Sequence, residues 1–357
     1  MKTSIIPIFI PHIGCPYRCV FCNQWRITGR RGVPDGNAVA RTIKEYVTSA
    51  AEERYWEVAF YGGSFTAIPA ALQEELLTPA REALQEGRIQ AIRCSTRPDC
   101  IDEEILSRLK RYGLSTVELG VQSMDDAVLA KAKRGHTAQD VVTATALLRE
   151  HCFTVGHQLM PGLPGEDWDS LRDTTAAICR LQPDIARIYP VVVLADTELA
   201  DMYRQGDYTP LSVHEGVLRA AYMKQAFVEA GIQCIRTGLQ ATEDLDDPAQ
   251  VLAGAYAPAM GEMVDTRRYC RLLLSVLDRL GDAEQVVVAY HRRDTSRVRG
   301  YKNTTVKKTR NRYSFPIQWE ESKALPAGVV AVSDGKRKIY IEADAGRIKE
   351  DRILREG

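Results

Sequence analysis

From residue 5 to about residue 240, short β-branched runs alternate with longer amphipathic segments, and no other property of the chain limits its fold as strongly. The candidate strands run from Ile5 to Ile10, Glu57 to Tyr61, Ile89 to Ser95, Thr116 to Gly120, Thr154 to Met160 and Ile185 to Val193. Between them the spacing predicts helices over Asn37 to Ala51, Pro69 to Glu86, Asp102 to Tyr112, Ala138 to Glu150, Trp168 to Leu181 and Val213 to Ala230. Six strand-helix units of this length predict a parallel α/β sheet. Asp102 stands where a helix N-cap belongs, and Gly113 and Gly231 stand where left-handed C-terminal residues belong.

In parallel folds of this kind the working residues gather at the carboxyl ends of the strands. There the first strand runs into Cys15-Pro-Tyr-Arg-Cys19-Val-Phe-Cys22 and the second into Gly62-Gly63-Ser64-Phe65. The next three run into Ser95-Thr96-Arg97-Pro98, Val121-Gln122-Ser123 and Pro161-Gly162-Leu163-Pro164-Gly165. Three thiols within eight residues can wrap one metal cluster. Structural zinc normally takes four protein ligands, and no fourth Cys or His follows Cys22 at ligand spacing. Three cysteines around a cubane leave one iron open to a small molecule, whereas electron-transfer clusters usually take four.

Nine cysteines, an odd number, and no secretory h-region favour reduced thiols over a disulfide framework. Cys94, Cys100, Cys152, Cys179, Cys234 and Cys270 read as small buried hydrophobes, with Cys94 and Cys100 spaced closely enough to raise a second cluster. No apolar run spans a bilayer, so a cytoplasmic protein with no membrane partner is expected. The chain carries 47 basic and 47 acidic residues, yet between Arg292 and Arg312 nine Lys or Arg face one acid, Asp294. This segment, interleaved with Tyr301 and flanked by Tyr290 and Tyr313, reads either as an RNA contact or as a solvated β-hairpin face. The pattern weakens after residue 240, where Asp244 to Pro248 suggests a linker. Residues 1–240 are therefore expected to form the main domain and 241–357 a small α/β or β-rich appendage with a helix from Arg267 to Leu280.

The cysteine loop followed by Tyr61-Gly62-Gly63-Ser64-Phe65 resembles the radical S-adenosylmethionine (SAM) superfamily. Further segments resemble its Elp3-like branch, named for the catalytic subunit of Elongator: Ser95-Thr96-Arg97-Pro98-Asp99, Val117 to Ser123, Lys133-Arg134-Gly135-His136-Thr137, Met160 to Gly165 and Arg187-Ile188-Tyr189-Pro190. The resemblance implies a partial (β/α)6 TIM-type barrel holding a 4Fe-4S cluster and SAM, with Cys15, Cys19 and Cys22 on three irons. It implies reductive cleavage of SAM to methionine and a 5′-deoxyadenosyl radical that takes hydrogen from a substrate, possibly tRNA or another RNA. A low-potential electron donor such as flavodoxin or ferredoxin is also implied.

By the same resemblance Gly62 and Gly63 let the backbone approach the methionine amino group, Ser64 stands where many relatives carry Glu, and Arg134 faces the methionine carboxylate. Gln122, Ser95 and Gln158 contact the ribose or methionine, and Phe21 packs on adenine. Taken without it, Gly62-Gly63 reads as a turn, Arg134 as a solvated helix-end charge, and Ser95 and Gln158 as ordinary strand-end hydrogen bonders; His157 reads as a core residue. The chain departs from the Elongator subunit in having only about 110 residues after the barrel, too few for the acetyltransferase domain, and in carrying Arg187 where lysine is usual. Two other readings stand beside it: a coproporphyrinogen-oxidase-like radical enzyme, and a zinc-stabilised RNA-binding module without catalysis, its fourth ligand a residue such as His12.

Overall fold

The computed structural model describes residues 3–10, 13–23, 32–50, 52, 54–241, 243–281 and 283–352. His12, the candidate fourth zinc ligand, lies outside the described residues. Strands β1 (Thr3–Ile10), β2 (Tyr55–Gly62), β3 (Ala91–Thr96), β4 (Thr116–Gln122), β5 (Thr154–Leu159) and β6 (Ile185–Ile188) are joined in order, every pair parallel. The next strand, β7 (Val192–Leu194), leaves this sheet, and β8 (Gln233–Thr237) rejoins it beside β6, so the curled half-barrel has seven strands rather than six. The seventh is hidden in the sequence because Gln-Cys-Ile-Arg-Thr is a half-exposed edge strand with polar residues on both faces. The single strand expected over Ile185 to Val193 is two strands. Pro190, which has no N–H for a ladder, falls in the break.

Parallel strands are covered on both faces, and the sequence meets that demand with near-continuous apolar runs. Val58, Ala59 and Phe60 of β2 are fully buried, and all seven residues of β4 are buried. The helix Glu103–Arg111 begins where Asp102 Oδ1 accepts the Ile105 N–H at 2.8 Å and ends before Gly113 at φ +78°. No helix among the described residues is long and apolar enough to cross a membrane.

The C-terminal part is a five-stranded mixed sheet in the order β11-β10-β12-β13-β14. The strand ranges are β10 Val286–Tyr290, β11 Ile317–Glu321, β12 Val329–Ser333, β13 Arg337–Glu342 and β14 Arg347–Arg352; β9 (Val251–Gly254) pairs with β7 instead. Because β10 and β11 are parallel, the chain between them must cross over, and the basic segment therefore forms short helices, Thr295–Arg299 and Thr304–Arg312, and not a hairpin face. The helix Met260–Leu277 serves both cores: Met260 and Val264 pack with the half-barrel, Leu273 and Leu277 with the mixed sheet.

Phe60 lies in the barrel core with its ring 4.9 Å from that of Phe65, just after the glycine loop. Phe60→Ala should cost about 3–5 kcal/mol of stability, read as a lower midpoint in urea unfolding. A loss below about 1 kcal/mol would mean that this layer is not close-packed.

Candidate active site at the carboxyl ends of the strands

The cysteine loop and the loop after β2 lock together through their backbones. A Cβ on Gly63 would collide with the Ile13 carbonyl, and one on Gly14 with the Ser64 carbonyl and, at 2.9 Å, with the Ile68 nitrogen. Gly62, at φ +112°, would place a Cβ 2.7 Å from the Ile10 carbonyl. These glycines are thus required first by the approach of one loop to the other. The Ser64 hydroxyl is turned inward, 2.7 Å from Thr96 Oγ1, and accepts the Arg97 N–H at 3.3 Å.

Cys15, Cys19 and Cys22 are half-buried on their loop. Burial pushes the Cys15 thiol up and the neighbouring Cys19 adds to this, while a backbone hydrogen bond at Ser64 and the guanidiniums of Arg97 and Arg134 oppose it. Among the described residues no three His, Cys, Asp or Glu side chains stand close enough together to hold a metal ion, so the three thiols share a loop without forming a closed cage. Phe21 is half-buried against a small cluster that includes Val20, Val128 and Leu163.

Arg134 sits over this loop, 6% exposed. Its Nη1 donates to Cys19 Sγ at 3.1 Å and its Nη2 to the Gly120 carbonyl at 2.6 Å, while its own carbonyl accepts from Arg97. Arg97 is in turn held by a forked pair to Asp99, 2.9 Å on each arm, and lies over the Tyr17 ring. Gln122 ends β4 at φ +68°, where the register with β5 shifts. A Cβ on Gly120 would meet Gln122 Nε2 at 2.9 Å and Arg134 Nη2 at 3.1 Å, so the two side chains converge above a glycine. Each keeps one buried polar atom without a partner among the described residues, an acceptor at Gln122 Oε1 and a donor at Arg134 Nε. His136, beside them, bonds the Val121 carbonyl through Nε2; burial, aided by Arg134 and Arg97, pushes its imidazole down to about 4 and keeps it neutral.

Below this level the barrel interior is filled by charge. Glu118, 1% exposed, takes Arg93 Nη1 at 3.0 Å and a two-pronged contact from Arg187, Nε at 2.5 Å and Nη2 at 3.1 Å. Arg93 also reaches Glu57, and Arg187 donates to the Tyr61 hydroxyl at 2.9 Å. Lysine, with one charged nitrogen, could not make the fork that Arg187 makes here. Gln158 Nε2 donates to Ser95 Oγ at 3.1 Å and to Glu118 Oε2 at 3.2 Å, so both belong to this network. His157 is fully buried, with Nε2 2.9 Å from Thr145 Oγ1, as a core histidine. The sequence gives no sign of the parts played by Arg97, His136, Glu118 or Arg93; Ser95-Thr96-Arg97-Pro98 stands out as a motif, but nothing in it shows which of its side chains turns toward Arg134.

Residues 9–178 match the Radical SAM superfamily and residues 183–270 match the Radical_SAM C-terminal domain. The chain is a radical SAM protein. Among its relatives, a tRNA uridine(34) acetyltransferase of Methanocaldococcus jannaschii is 36% identical over 142 residues, 39% of this chain and 26% of its own length. Elongator complex protein 3 of Danio rerio is 28% identical over 178 residues, 44% of this chain and 32% of its own. The chain therefore spans only a minor part of these relatives. The structure of an N-terminally truncated Elp3 from Methanocaldococcus infernus superposes with a TM-score of 0.62 over 76% of this chain and 64% of that one at 23% identity, a likeness of fold. Members of this superfamily are enzymes whose cofactors are a 4Fe-4S cluster and SAM, and the relatives of this chain within it are Elp3-like.

The radical SAM barrel depends on Glu118 for its interior charge balance. Burial pushes the Glu118 carboxyl up, but the Arg187 and Arg93 guanidiniums outweigh this and hold it below the usual 4.5. A lowered acid stabilises the fold above its unfolded value, and that stabilisation is lost as pH falls through the folded value. Glu118→Gln should cost about 3–5 kcal/mol at neutral pH by leaving the Arg187 guanidinium buried without its counter-charge and Arg93 with Glu57 alone. The gap between variant and wild type should narrow in urea titrations taken below pH 4.5. A pH-independent gap would show that the carboxylate charge is not what matters.

Proposed function

We propose that the chain holds a 4Fe-4S cluster on Cys15, Cys19 and Cys22, holds SAM beside it, and uses the pair to modify a tRNA. One observation carries this reading: Gln122 and Arg134 converge over Gly120 against the Cys19 thiol, each with a buried polar atom left over. The leftover groups suit an amino acid zwitterion with a sugar, a guanidinium N–H for the carboxylate and an amide oxygen for an ammonium or hydroxyl hydrogen. When bound, the cluster and SAM supply one-electron cleavage to methionine and a 5′-deoxyadenosyl radical that abstracts hydrogen.

The chain's own residues would hold and orient. Gly62 and Gly63 keep Cβ atoms out of the space over the cysteine loop, Arg134 orients the carboxylate, and Phe21 lies beside the last thiol for the adenine. Ser64 is engaged with Thr96 and Arg97, so its part is to fix the loop and present its backbone. Ser95 and Gln158 would support Glu118 from their strand ends. The ion pairs under the site would give a rigid, water-poor floor.

The tRNA substrate is supported by the name of the archaeal relative, a tRNA uridine(34) acetyltransferase. Acetyl transfer itself is not proposed, since the match takes in 26% of that relative. The reading makes residues 1–240 the catalytic barrel and 241–357 an appendage, in a cytoplasmic setting where tRNA and a low-potential donor such as flavodoxin or ferredoxin meet it.

Anaerobic reconstitution with iron and sulfide should load about four irons per chain, and Cys19→Ala should fail to load them. With dithionite and SAM the loaded protein should release 5′-deoxyadenosine, faster when host tRNA is present. Colourless protein that retains zinc, or a loaded cluster that never cleaves SAM, would overturn the reading.

A further inference from the structure

Three basic residues of the appendage line a cleft together with His291. At the carboxyl end of β10, an open hollow of about 530 Å³ is lined by His291, Arg292, Arg293, Lys323 and the small apolar run 324–327. Arg292, Arg293 and Lys323 are exposed. The Arg293 N–H donates to His291 Nδ1 at 3.2 Å, which leaves the proton of the neutral imidazole on Nε2 as a donor.

What makes this surface positive is where its acids are spent. Asp294, the one acid between Arg292 and Arg312, is 1% exposed; it accepts the Gly328 N–H at 2.7 Å and lies 3.6 Å from Arg297. The carboxylate thus ties the 324–327 wall to the cationic wall and contributes little to the outer field. Glu321 on β11, itself exposed, takes the Thr295 hydroxyl at 2.7 Å. Of the remaining cations, Arg299 is turned onto Trp319 and Arg312 onto Asp278. Lys302, Lys307, Lys308 and Arg310 are exposed on the following turn and helix, and Tyr301 is 76% exposed among them. In a chain with 47 charges of each sign, the exposed cations of this segment stand against a single acid of its own, which is buried.

We propose that this cleft grips the phosphate backbone of a single-stranded or loop region of RNA, with a base lying against the Ala324 to Ala327 wall. The inference rests on the reading that the substrate is an RNA and names the surface that holds it away from the radical site. The chemistry favours RNA over an anionic membrane because exposed cations surround an open hollow and an exposed aromatic, Tyr301, stands among the cations that follow, a pairing of positive groove and ring that tracks phosphates and stacks bases.

The test uses the full chain and a fluorescein-labelled oligouridylate of 20 or so nucleotides, followed by anisotropy across a salt series and repeated with bulk tRNA. The triple variant Arg292→Ala, Arg293→Ala, Lys323→Ala should bind at least about tenfold more weakly, and its log K against log salt slope should fall by about two units, from about 0.7 per lost single-strand contact. Arg41→Ala with Lys44→Ala, two exposed cations on the helix Gly36–Ser49, should change neither. If the triple variant keeps wild-type affinity and slope, the cleft is not the site, while an RNA substrate still stands. If the wild type binds no RNA yet releases 5′-deoxyadenosine, both the cleft and the RNA substrate fall and the radical chemistry survives. Tighter binding to phosphatidylserine vesicles than to RNA, abolished by the same variant, would overturn the proposal in favour of a membrane. Competition by millimolar inorganic phosphate alone, with no gain from chain length, would reduce it to a simple anion site.

Discussion

Two backbones pass too close to admit a side chain where the cysteine loop crosses the loop after β2. Gly14 lies against the Ser64 carbonyl and Gly63 against the Ile13 carbonyl, so each loop is the mould of the other. Both strands that lead into them are apolar and paired in parallel along eight residues, which fixes their ends in register, Ile10 opposite Gly62. The core thus sets the strand ends, the strand ends set the glycine contact, and the contact sets where the thiols lie relative to Arg134. Chemistry at the top of this barrel depends on a steric condition met by residues that have no chemistry of their own.

Charge is handled in opposite ways at the two ends of the chain. Inside the half-barrel, Glu57 and Glu118 are matched by Arg93 and Arg187, with Tyr61, Ser95 and Gln158 filling the remaining hydrogen-bond positions. Such a floor adds little net stability over an apolar one but is costly to break, which makes it a rigid base. In the appendage the one acid of the basic segment is buried for scaffolding and the cations are left outside. The first arrangement suits a closed site, the second a large anionic partner.

The sequence showed the elements that are strongly patterned and concealed those that are set by contact. Strand β4 and the helix after Asp102 could be read because burial on both faces and a capping side chain leave direct marks. Strand β8 could not, since a half-exposed edge strand has no apolar run, and Pro190 split a run that looked continuous. The cysteine spacing and the glycine pair were legible as motifs. That Ser95 and Gln158 turn toward Glu118, and that Arg97 braces Arg134, depends on which way side chains point across five strands. The basic segment was legible as charge, while its helical form follows from a parallel pairing with β11 that the sequence did not reveal.

The most direct test is the electron paramagnetic resonance spectrum of the reduced, reconstituted protein with and without SAM, compared with Gly63→Ala. If the glycine contact places the thiols against Gln122 and Arg134, SAM should change the cluster signal of the wild type, and Gly63→Ala should show no such change while keeping wild-type circular dichroism. A Gly63→Ala protein whose signal responds to SAM as the wild type does would contradict the account.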